Sequence, residues 1–159
     1  MAKQAAQIDL SDSFEKIPVK IFPTSQDGSV FVARQVADFI RDKQTKKEKC
    51  VLGLATGSSP KSLYAELVRL HREEKLSFKN VITFNLDEYY PIDNDALQSY
   101  NRFMRVNLFD HIDINPKNIH IPNGAIKKED IKEPCRQYEK MIKDAGGIDL
   151  QILGIGNNG

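Results

Sequence analysis

Short apolar runs separated by longer amphipathic stretches constrain this chain more than any other feature. The clearest run, Cys50-Val51-Leu52-Gly53-Leu54-Ala55, has no polar residue at alternate positions. A strand with one wet face alternates apolar and polar side chains, so an unbroken run implies burial on both faces, as in a parallel sheet. Val81-Ile82-Thr83-Phe84-Asn85-Leu86 and Leu150-Gln151-Ile152-Leu153 repeat the theme, Val19-Lys20-Ile21-Phe22 opens it, and Ile119-His120-Ile121 adds a short extended piece. Helical spacing fills the intervals. Val30, Ala33, Val36, Ala37 and Ile40 form one stripe after Thr24, whose spacing to Asp27 resembles a capping box. Pro60 stands where the second helix should begin, with Leu63, Leu67 and Leu70 on its buried face and His71 on its surface. Tyr100, Phe103, Val106 and Leu108 mark a third helix. A fourth starts near Glu133-Pro134, carries Tyr138, Ile142 and Ala145, and ends at Gly146-Gly147. Strands alternating with helices predict an α/β fold with a mostly parallel sheet, and right-handed crossovers place helices on both of its faces.

The chain has 159 residues, 40% of them hydrophobic, enough to fill one core. Residues 1–17 read as a polar N-terminal arm and residues 18–159 as part of one α/β domain. Lys and Arg total 23 against 22 Asp and Glu, a net charge of +1, which removes the electrostatic ground for expecting nucleic acid as a partner. The basic cluster Arg41, Lys43, Lys46, Lys47 and Lys49 falls where a helix ends and complements its dipole. No apolar run approaches the roughly 20 residues that span a bilayer, and the first residues lack the apolar core of a secretory signal. Cys50 and Cys135 are too few and too far apart for a disulfide framework or a metal knuckle. These features predict a cytoplasmic protein with reduced thiols, no metal and no membrane partner.

Ligands of open parallel sheets bind at the carboxyl ends of strands. Three polar clusters lie there. Thr56-Gly57-Ser58-Ser59 joins an apolar strand to a helix; glycine permits a tight turn, and the helix start offers free N–H groups and three hydroxyls to a phosphate monoester. The same residues also suit an ordinary turn with a serine cap, and the GxxxxGK[ST] spacing of a nucleotide loop is absent. Asp87 and Glu88 follow the next strand. A partly desolvated carboxylate there has its pKa raised toward the range of a general base; alternatively Asp87 caps a turn and Glu88 is solvated. Gly154-Ile155-Gly156-Asn157-Asn158-Gly159 fits GxGxxG but follows a late strand and has no acidic residue about 20 positions on, so it does not predict a dinucleotide site. Asp93-Asn94-Asp95 lacks the further ligands of a calcium loop, and Cys135 reads as a packing residue.

Taken together these motifs resemble the glucosamine-6-phosphate deaminase family. The resemblance rests on Leu52-Gly53-Leu54-Ala55-Thr56-Gly57-Ser58-Ser59-Pro60, Phe84-Asn85-Leu86-Asp87-Glu88-Tyr89, Ser99-Tyr100, Phe103-Met104 and Asn107-Leu108-Phe109-Asp110-His111-Ile112-Asp113-Ile114. It continues through Asn118-Ile119, Asn123-Gly124, Cys135-Arg136-Gln137-Tyr138-Glu139 and the terminal glycine loop. It implies a Rossmann-like three-layer α/β/α fold. It also implies conversion of glucosamine 6-phosphate to fructose 6-phosphate and ammonia without a cofactor, in amino-sugar catabolism. On this basis Thr56, Gly57, Ser58 and Ser59 bind the sugar phosphate, Asp87 moves the proton from C2 to C1, and Glu88 is a substrate-binding neighbour. Asn158 falls where some members carry an aspartate that assists ring opening; an amide orients a histidine but does not accept its proton.

In the family a His-Ile-Gly-Phe-Asn-Glu-Pro-like stretch with the ring-opening histidine follows the last of these motifs, and it is not in this sequence. The expectation is a chain truncated at its C-terminus, inactive alone, for which a homo-oligomer formed through the full-length protein is allowed. Two other readings share the phosphate loop: a 6-phosphogluconolactonase-like hydrolase, which needs no C2 base, and a phosphosugar-sensing domain, which could dispense with Asp87.

Overall fold

Thr24 starts the first helix as the spacing predicts. Its hydroxyl oxygen accepts a hydrogen bond from the Asp27 N–H at 3.1 Å and its hydroxyl donates to the Asp27 carboxylate at 2.7 Å. The computed structural model describes residues 17–155, in the order α1 (Ser25–Thr45), β1 (Cys50–Leu54), α2 (Lys61–Glu74), β2 (Val81–Asn85), α3 (Tyr100–Asn107), β3 (Ile119–His120), α4 (Lys132–Asp144) and β4 (Leu150–Gln151). The four strands form one parallel sheet in the order β3-β2-β1-β4. All five residues of β1 are buried, as its unbroken apolar run requires. Side chains alternate across the sheet, so Cys50, Leu52 and Leu54 share one face and meet Ala33, Val36, Ala37 and Ile40 of α1 and Leu63, Tyr64, Leu67 and Leu70 of α2.

The chain crosses from β3 at one edge to β4 at the other, and a right-handed crossover carries α4 over the opposite face. There the Tyr138 ring stands edge-on to Phe84 at 5.7 Å between centroids, and Phe84 stacks on His120 at 4.6 Å. None of α4 is fully buried, so this layer is thinner than the one made by α1 and α2.

Several expectations need correction. Residues 19–22 form no strand: no neighbour in the sheet offers them backbone partners, Val19 and Ile21 are exposed, and Phe22 packs on Phe31 at 5.1 Å. Pro60 is the cap residue of α2 instead of its first helical residue. Val106 is exposed, and Met104 is the buried residue of α3. His71 is half-buried, because α2 ends in a left-handed turn at Lys75 (φ 57°) that brings the Leu76 carbonyl to 2.6 Å from its Nδ1. The terminal glycine loop is described only as far as Ile155, so Asn158 lies outside the described residues.

Two carboxylates tie the layers together. Asp149, at the start of β4, accepts from the Val51 N–H at 2.9 Å and from Lys43 Nζ at 2.9 Å, which fixes α1 to the sheet. Asp113 accepts from the Phe78 N–H at 2.6 Å and the Ser77 hydroxyl at 2.8 Å. Burial opposes ionisation of both. The Val51 amide and Lys43 ammonium outweigh it at Asp149, and the Phe78 amide, Ser77 hydroxyl and His71 outweigh it at Asp113. Both therefore sit below the ordinary aspartate value of 3.8. A folded-state value below the unfolded one stabilises the fold above the unfolded pKa and is lost as pH falls through the folded value. The urea midpoint of the full-length protein is therefore expected to hold above about pH 5 and fall below about pH 4. Asp149→Asn should lower the midpoint at pH 6 and make that acid limb shallower. An acid limb as steep in the variant as in the wild type would remove Asp149 from this account.

Candidate active site

The pairing of β1 with β2 sets the site. Leu54 lies opposite Asn85, and the Leu86 N–H donates to the Leu54 carbonyl at 3.2 Å. Thr56 and Asp87 each follow two residues after that last pair, so the two polar clusters leave the sheet side by side. β4 runs parallel on the other flank of β1, with the Ile152 N–H on the Gly53 carbonyl at 2.9 Å, and brings the start of the glycine loop to the same end.

At the exit of β1, the buried Tyr64 hydroxyl donates to the Ala55 carbonyl at 2.5 Å. Burial pushes that phenol well above its usual value, so it stays a donor. Gly57 then takes φ +104°, a left-handed conformation that a side chain resists. A Cβ there would meet nothing within 4 Å, so the glycine is required by the turn and not by crowding. Thr56 is half-buried, and Gly57, Ser58 and Ser59 are exposed. No side chain caps α2, and its first turn carries no acidic residue. The positive end of this helix therefore opens onto the 56–59 loop, the arrangement that receives an anion.

At the exit of β2, the Tyr138 hydroxyl reaches across from α4 to the carbonyls of Asn85 at 2.9 Å and His120 at 3.1 Å, binding the ends of β2 and β3 together. Asn85 is buried, its Nδ2 donating to the Leu54 carbonyl at 3.4 Å while its Oδ1 has no partner. Asp87 is exposed, so among the described residues the partial desolvation expected at this position is not found. Glu88 is half-buried. Its Oε1 accepts from the Tyr89 N–H at 2.9 Å and the Tyr100 N–H at 2.8 Å, and its Oε2 from the Asn101 N–H at 3.0 Å.

Tyr100 was not evident as a site residue from the sequence. As the first residue of α3 it places its ring 4.6 Å from that of Tyr89. Its hydroxyl is pushed up by the Tyr89 hydroxyl, by burial and by the charge of Asp87, and pulled down by the Thr56 hydroxyl, so it stands among groups from both strand exits. The signal available in advance was a tyrosine directly after a serine cap in the segment following an acidic strand end.

A cavity of about 590 Å³ borders the β2 exit from the α4 side and is lined mainly by apolar groups such as Leu86, Ile121, Tyr138, Met141 and Ile142. It borders the start of α4, whose first turn carries Glu133, an acidic residue that the first turn of α2 lacks. Among the described residues no three His, Cys, Asp or Glu side chains are grouped to hold a metal ion, and no helix is long and apolar enough to cross a membrane. Burial pushes the Cys50 thiol up to about 12, whereas Cys135 is exposed on α4.

Residues 23–159 match the family model for glucosamine-6-phosphate isomerases and 6-phosphogluconolactonases. The chain belongs to this family. A glucosamine-6-phosphate deaminase of Thermoanaerobacter sp. (strain X514) is 49% identical over 128 residues, covering 80% of this chain and 50% of the relative. A glucosamine-6-phosphate deaminase-like protein of Bacteroides thetaiotaomicron is 47% identical over 145 residues, 91% of this chain and 22% of the longer relative. The chain thus spans about half the length, or less, of the curated relatives it matches. The solved structure of a monomeric glucosamine-6-phosphate deaminase superposes with a TM-score of 0.79 at 43% identity, covering 86% of this chain and 54% of that one. A 6-phosphogluconolactonase from Thermotoga maritima gives 0.66 at 28% identity, over 82% and 57%. The Rossmann-like α/β fold expected from the sequence is therefore the fold of the family.

The Tyr64 clamp is open to a direct test, with an exposed tyrosine as control. Tyr64→Phe leaves the Ala55 carbonyl buried without its donor and should destabilise the protein by about 1–3 kcal/mol in chemical denaturation. Tyr90→Phe, at an exposed ring, should change stability by less than about 0.5 kcal/mol.

Proposed function

We propose that the protein is a glucosamine-6-phosphate deaminase, converting glucosamine 6-phosphate and water to fructose 6-phosphate and ammonia. The observation that supports the reading is the β1–β2 register, which brings the 56–59 loop and Asp87 out of the sheet side by side; it agrees with the deaminase name of relatives nearly half identical. In this proposal the 56–59 loop and the open end of α2 hold the phosphate. Asp87 takes the proton from C2 of the ring-opened sugar, giving an enolamine, and returns it to C1. The resulting imine at C2 is hydrolysed, releasing ammonia, so the reaction classes as hydrolysis of a C–N bond. A carbon acid beside a carbonyl needs a base held within reach, and the carboxylate at the end of a rigid strand meets that need. A role for Asn158 in ring opening is part of the proposal.

The 6-phosphogluconolactonase reading shares the family and would use the same phosphate loop, but lactone hydrolysis has no C2 proton to move and so needs no C2 base. The deaminase reading places the enzyme in cytoplasmic amino-sugar breakdown. It also makes residues 1–159 alone inactive, because no histidine described here stands at the site: His71 and His111 bond backbone carbonyls of their own segments, and His120 stacks on Phe84.

In the full-length protein, Asp87→Asn should lower kcat for ammonia release by about 10²–10⁴ while sugar phosphate still binds. Exchange of the C2 proton with solvent should disappear with it. Native-rate exchange in the variant would show that another group is the base. Ser58→Ala and Thr56→Ala should raise KM for glucosamine 6-phosphate with a smaller effect on kcat. Affinity for unphosphorylated glucosamine equal to that for the phosphate ester would contradict the loop assignment. Lactone hydrolysis without ammonia release would favour the other branch of the family.

A further inference from the structure

The carboxylate of Glu88 is consumed by the backbone. Oε1 takes the N–H groups of Tyr89 and Tyr100, and Oε2 takes that of Asn101. Tyr100 and Asn101 are the first two residues of α3, 12 and 13 positions further along the chain. Their N–H groups have no acceptor within the helix, and a carboxylate at a helix start is favoured by the dipole as well. Ser99, the cap residue, supplies the other acceptor of this end, taking the Arg102 N–H at 3.0 Å and donating to the Asn94 carbonyl at 2.6 Å. The two caps differ in what they join. Ser99 closes the helix onto its own approach, whereas Glu88 ties it to the residue that directly follows Asp87.

We propose that Glu88 is a positioning residue: by bridging the β2 exit to the start of α3 it holds Asp87 and Tyr100 in one fixed arrangement, and it does not itself bind substrate. The kinetic part of this inference rests on the deaminase reading; the structural part does not. With both oxygens held by N–H groups, the strongest acceptor directions of Glu88 are occupied. Its neighbour Asp87 is exposed and has no hydrogen-bond partner among the described residues. Of two adjacent carboxylates at one strand end, one fixes the backbone and the other is left for chemistry. Displacing a reacting group by about 1 Å costs up to about a hundredfold in rate, so a loosened bridge should be felt in the proton-transfer step and not in phosphate binding.

Glu88→Gln tests this in the full-length protein, because the amide keeps the shape but presents only one acceptor oxygen and sets an NH₂ group against a backbone N–H. Hydrogen exchange followed by mass spectrometry should show faster exchange in the segment around residues 99–104. The kcat for ammonia release should fall by about tenfold or more, with C2-proton exchange falling in parallel, while KM for glucosamine 6-phosphate changes less than about twofold. Ser99→Ala, which removes the Arg102 acceptor at the same helix start but leaves the Glu88 carboxylate in place, is the comparison and should lose less kcat than Glu88→Gln. A raised KM at unchanged kcat would make Glu88 a substrate ligand and overturn the inference. So would unchanged exchange around residues 99–104, or an equal loss of kcat in Ser99→Ala. Absence of deaminase activity in the wild type would remove the deaminase reading alone, leaving the bridge to stand or fall on the exchange measurement.

Discussion

The parallel pairing of β1 with β2, closed by Leu54 opposite Asn85, is the constraint on which the site depends. Strand residues advance about 3.3 Å each and alternate between faces. A slip of one residue would separate Thr56 from Asp87 and turn the apolar set of β2 to the wrong side. Two tyrosines secure the ends where slippage would matter. Tyr64 from one helical layer holds the Ala55 carbonyl, and Tyr138 from the other holds the carbonyls of Asn85 and His120. Each phenol buries its ring in a helix–sheet interface and uses its hydroxyl to satisfy a carbonyl where regular pairing stops.

Electrostatics divides the work between two helix starts at this end of the sheet. α3 is closed by Ser99 and Glu88, while α2 has no side-chain cap and no acid in its first turn. Only the second has its partial positive charge available to an anion. The turn at Gly57 exposes that end, and a side chain at φ +104° would strain it. The same fold thus sets an uncapped helix start at the 56–59 loop and, one strand away, the exposed Asp87 carboxylate beside Glu88, whose oxygens accept backbone N–H groups.

Much of this was legible in the sequence because it depends on local pattern. The unbroken run at residues 50–55 gave a doubly buried strand, Thr24 with Asp27 gave the start of α1, and the polar clusters at strand ends marked the exits where Thr56 and Asp87 now stand. What failed depends on partners far along the chain. Residues 19–22 have the composition of a strand but no neighbour in the sheet to pair with. His71 looked like a surface residue until the left-handed turn at Lys75 folded the Leu76 carbonyl back onto it. The bonds from Glu88 to the start of α3 could not be read in advance, because the amides belong to a helix beginning 12 residues later. The exposure of Asp87 likewise reflects what surrounds the strand end and not the strand itself.

If the protein acts as proposed, one ligand spans both strand exits. A crystal structure of the full-length protein with fructose 6-phosphate should then show the phosphate within hydrogen-bond distance of the 56–59 loop, and C1 and C2 of the sugar against the Asp87 carboxylate. Phosphate bound at the start of α3 or in the apolar groove beneath α4, with Asp87 out of reach of C1 and C2, would contradict it.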